Sequence, residues 1–127
     1  MAPINESSRH KGRLGEQRAV DFLTRAGYRV LARNFRTRRG EIDIVAQREN
    51  TLVFVEVKCW NAIDITDLEI SISRRKQRRI IDASQVFMMR MGLTDRYDVR
   101  FDLIFVKGDS MEVQHVQEAF TESTWSG

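Results

Sequence analysis

The sequence predicts an α/β fold, a mixed central sheet of about five strands flanked by two long helices, and three observations carry that prediction. Two long segments, about Arg9 to Ala26 and Ser73 to Met91, repeat apolar residues at helical spacing, and each stops at a glycine, Gly27 or Gly92. Tyr28–Ala32, Gly40–Val45, Val53–Lys58, Asp98–Val106 and Met111–Val116 read instead as strands. The 127 residues contain no internal repeat, so they form one domain, large enough for a real core, with loose termini at about 1–8 and 120–127.

The first helix carries the stripe Ala19, Val20, Phe22, Leu23 and Ala26. Glu16 precedes Ala19, Val20 and Leu23 by three, four and seven positions, which turns it towards the buried side. A carboxylate there costs free energy unless it is paired or solvated in a cleft. It is a candidate to bind a second metal ion or a water; a bond to Arg13 or Lys11 at the helix's frayed edge is the alternative.

The second and third strands hold the group of greatest interest. Alternation puts Ile42, Ile44 and Ala46 on one face and Glu41, Asp43 and Val45 on the other. On the next strand Val53, Val55, Val57 and Cys59 oppose Phe54, Glu56 and Lys58. A hairpin centred between Glu49 and Asn50 sets Asp43 opposite Glu56 and Glu41 opposite Lys58. Side chains so opposed lie about 5 Å apart. Two carboxylates at that separation repel unless one is protonated or a cation lies between them. Mg²⁺ suits the gap, because it prefers hard oxygen ligands and takes one or two carboxylates plus water and phosphate oxygens. A lysine on the same face can orient a water or steady charge growing on a phosphate. The residues thus fit metal-assisted phosphodiester hydrolysis. They fit equally a cross-strand cluster of ion pairs, Glu41 with Lys58 and Glu56 with an arginine.

Arginine is concentrated in two places. Arg33, Arg36, Arg38 and Arg39 surround Phe35 in a turn-rich segment that leads into the Asp43 strand. Arg74, Arg75, Lys76, Arg78 and Arg79 load the first two turns of the second helix, where the helix dipole favours anions. A phosphate backbone bound there would reverse that penalty, and arginine forks match phosphate oxygens. Arg36, Arg38, Arg39, Arg74, Arg75 and Arg78 are therefore the candidate nucleic-acid contacts, with solvated basic faces as the alternative. The second helix buries Ile80, Ile81, Ser84, Phe87, Met88 and Met91, and Gln77 falls on the same inward side. Asn61–Ile72 is locally acidic through Asp64, Asp67 and Glu69, and suits a loop or short helix over the site. On the fourth strand, Arg100 and Asp102 face away from Val99, Phe101, Leu103 and Phe105 and form either a structural pair or a support behind the site. Gln117–Gly127 reads as a helical turn and tail, and Trp125 has no assigned purpose.

Composition narrows the function classes. No apolar run approaches the roughly 20 residues of a membrane span, and Met1–Lys11 lacks the apolar core of a secretory signal. One cysteine, Cys59, excludes an internal disulfide and a cysteine-rich zinc site, which fits a cytoplasmic location. There is no phosphate-binding glycine loop, and His10 and His115 lie too far apart in sequence to suggest a metal site.

Taken together, Gly15-Glu16 with Ala19, Gly27-Tyr28, Arg33-Asn34, Gly40-Glu41-Ile42-Asp43, Val53-Phe54-Val55-Glu56-Val57-Lys58 and Lys76-Gln77 resemble the YraN-type family of uncharacterised bacterial proteins. That family is placed in the PD-(D/E)xK, restriction-endonuclease-like superfamily and is similar to archaeal Holliday-junction resolvases. The resemblance covers nearly the whole chain. It implies a restriction-endonuclease-like fold in which Asp43 and Glu56 bind Mg²⁺ or Mn²⁺ and Lys58 acts in catalysis. Glu16 and Gln77 would be auxiliary catalytic residues, and likeness to resolvases admits a homodimer on branched DNA. The superfamily's Pro-Asp is Ile42-Asp43 here, a change the family shares. Cys59-Trp60 and a glycine-free acidic loop follow Lys58, where the family usually carries an arginine and a glycine-containing loop. The resulting expectation is a metal-dependent nuclease acting on DNA in repair or recombination. The rivals are a non-catalytic DNA-binding or scaffold protein with the same fold and, more weakly, a module whose basic helix binds an acidic protein.

Overall fold

The computed structural model describes the backbone of residues 2–60 and 72–122, and the side chains of residues 12–59 and 72–122. The predicted loop over 61–71 and Trp125 fall outside the described residues. The elements are α1 (Ala2–Arg25), β1 (Arg29–Arg36), β2 (Glu41–Arg48), β3 (Thr51–Trp60), α2 (Arg74–Arg90), β4 (Asp98–Lys107) and β5 (Val113–Phe120). The five strands form one mixed sheet in the order β1-β2-β3-β4-β5. Only the β3–β4 pair is parallel, and α2 lies in the connection between those two strands.

Each face of the sheet buries its own apolar cluster beneath one helix. Ala19 and Leu23 of α1 pack on Ile44, Ala46, Val53, Val55, Ile104 and Val106. Ile80, Ile81, Ala83, Phe87 and Met88 of α2 pack on Val45, Phe54, Phe101, Leu103 and Phe105. The expected α/β layering is therefore present. The α2 stripe also agrees with its apolar spacing except at Met91, which is 55% exposed because it caps the helix instead of continuing it. Gly27, at φ +91°, closes α1 while the Tyr28 N–H donates to the Leu23 carbonyl at 2.9 Å.

Three boundaries differ from expectation. The helix begins at Ala2 rather than Arg9 and so takes in most of the expected loose terminus; Pro3 falls in its first turn, where a missing N–H costs nothing. Strand β1 runs on through Arg36, so the arginine-rich segment is half strand and half turn, held in the ladder by Phe35 and Arg36 opposite Ile42 and Glu41. Strand β5 starts two residues late and continues to Phe120, whose ring stacks on Phe101 with centroids 5.2 Å apart. That stacking replaces the helical turn expected after Val116.

The β2–β3 hairpin has the predicted centre, since Arg48 pairs with Thr51 and Ile44 with Val55. The described pairing then ends, although β2 stays paired with β1 as far as Glu41. Strand alternation breaks at the same place. Ile42 joins the α2-side cluster instead of sharing a face with Ile44. The Asp43 carboxylate reaches across and accepts the Val57 backbone N–H at 2.8 Å, so a side chain does there what a ladder carbonyl would otherwise do. This parting of β2 from β3 is the structural origin of the cleft described next.

Gly40 closes the β1–β2 turn against α2. A Cβ at this position would run into the backbone carbonyl of Arg79. Gly40→Ala is expected to lower stability by about 1–3 kcal/mol, the usual cost of overpacking against an unyielding neighbour. Urea unfolding of the variant beside the parent checks this.

Candidate active-site cleft

Where β2 leaves β3, a cavity of about 600 Å³ opens between the sheet and the N-terminal turns of α2. It is lined by Glu41, Asp43, Glu56, Ser73, Arg75, Lys76, Arg79 and Ile80. Ser73 caps α2, its hydroxyl accepting the Lys76 N–H at 3.1 Å, and that cap aims the first turn at the carboxylates.

Asp43 and Glu56 come together as the hairpin register predicts, and their side chains share a hydrogen bond. Two carboxylates can do so only if one is protonated. Burial raises the Asp43 pKa most, and the hydrogen bond and charge of Glu56 raise it further. The Val57 N–H and Lys76 oppose this, and the result is about 8. Glu56 is itself nearly buried, 9% exposed at the side chain, and its Oε2 lies 3.0 Å from the Lys76 ammonium.

That partner departs from expectation. The sequence predicts convergence of Lys58 on the two acids, whereas the lysine in contact is Lys76 from α2. Lys58 follows Phe54 and Glu56 on the strand, but it does not line the cavity and forms no ion pair among the described residues. Strand spacing fixes which face Lys58 takes; it says nothing of which helix overhangs that face.

The other predicted site residues are distributed unevenly. Glu16 lies outside the cavity lining. It accepts from Asn34 at 2.9 Å and from the Arg33 guanidinium at 3.3 and 3.4 Å, partners the sequence did not suggest; the Lys11 side chain lies outside the described residues. Gln77 also stands outside, donating to the Ile72 carbonyl at 3.2 Å. Arg75 lines the cavity, Arg36 pairs loosely with Glu41 at 3.6 Å, and Arg78 pairs with Asp82 at 3.3 Å. Arg38, Arg39 and Arg74 are exposed. The two basic segments nevertheless meet at the cavity rim, because Arg79 Nε donates to the Arg39 carbonyl at 3.4 Å. Glu41, Lys76 and Arg79 are the charged cavity residues that sequence reasoning did not assign to the site. Glu41 is visible as part of the Glu41-x-Asp43 alternation; the other two depend on how α2 docks.

Chemically, the cleft offers hard carboxylate oxygens beneath a rim of arginines. Among the described residues there is no group of three or more histidine, cysteine or acidic side chains placed to hold a metal ion. A magnesium-type site does not require one, since two carboxylates with water and phosphate oxygens suffice. The displaceable proton on Asp43 and the cation already on Glu56 both mark the pair as a place where positive charge is favoured.

Fold and cleft together define an α/β protein that holds a buried glutamate and a half-buried aspartate next to exposed cations. The chain belongs to the Uncharacterised protein family UPF0102, which matches residues 15–106. A UPF0102 protein of Nitrobacter winogradskyi is 41% identical over 115 residues, 91% of this chain and 95% of that protein. Those of Syntrophotalea carbinolica and Persephonella marina are 41% and 39% identical, over 90% and 87% of this chain. They span 94% and 92% of those two relatives. No helix among the described residues is long and apolar enough to cross a membrane.

Proposed function

We propose that this protein is a divalent-metal-dependent nuclease of restriction-endonuclease-like fold that hydrolyses phosphodiester bonds in DNA, with branched or structured DNA of repair or recombination as its substrate. The observation that carries this is the pairing of half-buried Asp43 with buried Glu56 in a cleft whose rim is cationic. Asp43 and Glu56 would hold Mg²⁺ or Mn²⁺, which supplies charge stabilisation at the phosphate and a more acidic water. Arg75 and Arg79 face the same cavity and would bind the phosphate oxygens. Arg36, Arg38 and Arg39 on the β1–β2 side, with Arg74 and Arg78 on α2, would extend that grip along the strand. Lys58, one alternation beyond Glu56, is assigned to orient the attacking water. Gln77 is assigned to hold the cleft wall through the Ile72 carbonyl, and Glu16, bound to Arg33 and Asn34 from α1, is assigned to fix β1 beside the Asp43 strand. A homodimer would present two such clefts to a branched substrate, and a reducing cytoplasm suits the lone cysteine.

Purified protein incubated with junction, flap and linear DNA is expected to cleave in Mg²⁺ or Mn²⁺ and to stop in a chelator. Cleavage that survives both Asp43→Ala and Lys58→Ala overturns the assignment. The Lys76–Glu56 ion pair favours one other reading, a DNA-binding scaffold in which lysine permanently fills the metal's place. That reading predicts salt-sensitive DNA binding without uptake of Mn²⁺.

A further inference from the structure

The Lys76 ammonium lies 3.0 Å from Glu56 Oε2, where a cation bound to the acid pair would also sit. Three side chains of α2 with positive charge line the cavity, Arg75, Lys76 and Arg79, and among the described residues Lys76 is the one that pairs with an acid there. Its side chain is 46% exposed, whereas that of Glu56 is 9% exposed. The carboxylate is thus fixed in the protein, while the ammonium reaches it from the solvent side on a flexible four-carbon stem. A carboxylate so buried demands a positive partner at all times. An ammonium with water beside it gives up that partner at little cost, because solvent takes over its charge.

Resting on the metal-dependent reading above, we propose that Lys76 is the exchangeable counter-ion of the acid pair. It neutralises Glu56 in the metal-free protein, competes with the divalent cation for that carboxylate, and swings out into the cavity when the cation takes its place. The main chain of Lys76 stays anchored by the Ser73 cap during the exchange, so only the side chain moves. The same contact thereby serves two ends. It keeps the empty cleft from carrying a bare buried charge, and it sets a threshold of metal concentration below which the cleft stays closed by lysine.

Two measurements on the full chain test this. Calorimetric titration with Mn²⁺ should show Lys76→Met binding about three- to tenfold tighter than the parent, the scale of losing a partly exposed competing ion pair. Acetic anhydride labelling followed by mass spectrometry should show the parent's Lys76 modified faster once Mn²⁺ is saturating. Glu56→Gln should give the fast rate with no metal added. A merely structural lysine would leave the Mn²⁺ affinity of the Met variant unchanged or weaker, and its labelling would ignore the metal; either result overturns the proposal while leaving the metal site standing. If neither the parent nor Lys76→Met takes up Mn²⁺, the exchange and the metal-dependent reading fall together.

Discussion

Asp102→Ala is expected to lower the stability of the protein by about 3–5 kcal/mol, the cost of removing one partner from a buried ion pair. Asp102 is fully buried on the α1 side of the sheet, and every bond it makes is directional. Arg100 approaches its two oxygens through Nε and a terminal nitrogen, both at 2.9 Å. His115 Nε2 lies 2.6 Å from Oδ2, and the Glu118 backbone N–H donates to Oδ1 at 3.0 Å. An ionised carboxylate only accepts, so His115 carries its proton on Nε2. The second terminal bond of Arg100 goes to the Tyr28 hydroxyl at 2.6 Å, and that ring also lies beneath Arg48, 4.5 Å from centroid to guanidinium. Deleting the carboxylate strands a guanidinium and an imidazole together. Urea unfolding at pH 7 checks the loss, and Asp102→Asn, which keeps the shape but not the charge, should fall between the parent and the alanine variant. Burial alone would raise the Asp102 pKa, but the bonds from His115, Arg100 and Glu118 outweigh it and hold the group below its ordinary value of 3.8. A depressed folded-state value means the contribution is present above the unfolded pKa and disappears as pH falls through the folded one. The difference between parent and variant should therefore shrink below about pH 4. Mn²⁺ uptake should not change, since the cleft lies on the other face.

The parts of this architecture that local periodicity controls were legible in the chain. The hairpin centre follows from alternation on both sides of Glu49-Asn50, and the α2 core stripe from its 3.6-residue repeat. The Arg100–Asp102 pair follows from two positions on one strand face. What the sequence hides is set by contacts between elements distant along the chain. The Glu118 N–H reaches Asp102 where β5 carries a register shift opposite Phe101 and Leu103, and no single-strand pattern announces a bulge in a partner. Glu16 looks inward on a helical wheel, yet α1 lies over the sheet face opposite α2, and Arg33 and Asn34 are what it meets. Lys76 belongs to a charge run that reads as solvated until the docking of α2 brings it to Glu56. The parting of β2 from β3 is the most consequential of these hidden features, because without it the two acids would be ordinary cross-strand neighbours.

The second large effect is expected at Asp43, where stability and function should move in opposite directions. Asp43→Asn should reduce metal affinity by more than about 100-fold, since even an outer partner of a ligand is worth 10–100-fold. DNA cleavage should fall with it. The same variant should be the more stable protein at high pH without metal. The asparagine oxygen can still accept the Val57 N–H while its amide donates to Glu56, so both hydrogen bonds of the protonated acid survive. In the parent, the Asp43 value rises from 3.8 to about 8, chiefly through burial and then through Glu56. The folded chain therefore holds a proton that the unfolded chain has released between those values. Stability is full below the unfolded pKa and declines as pH rises towards 8, by at most about 1.4 kcal/mol per pH unit. Denaturation of the metal-free parent from pH 4 to 9 should show this decline, and Asp43→Asn should remove most of it. An equal slope in both proteins would place the shared proton elsewhere. Below pH 8, metal uptake by the parent must expel the same proton, so calorimetric heats should scale with the ionisation enthalpy of the buffer, at up to one proton per ion. A purely structural cluster with the same raised pKa would share the pH slope but would release no proton on addition of Mn²⁺, so proton-coupled uptake is the result that separates the two readings.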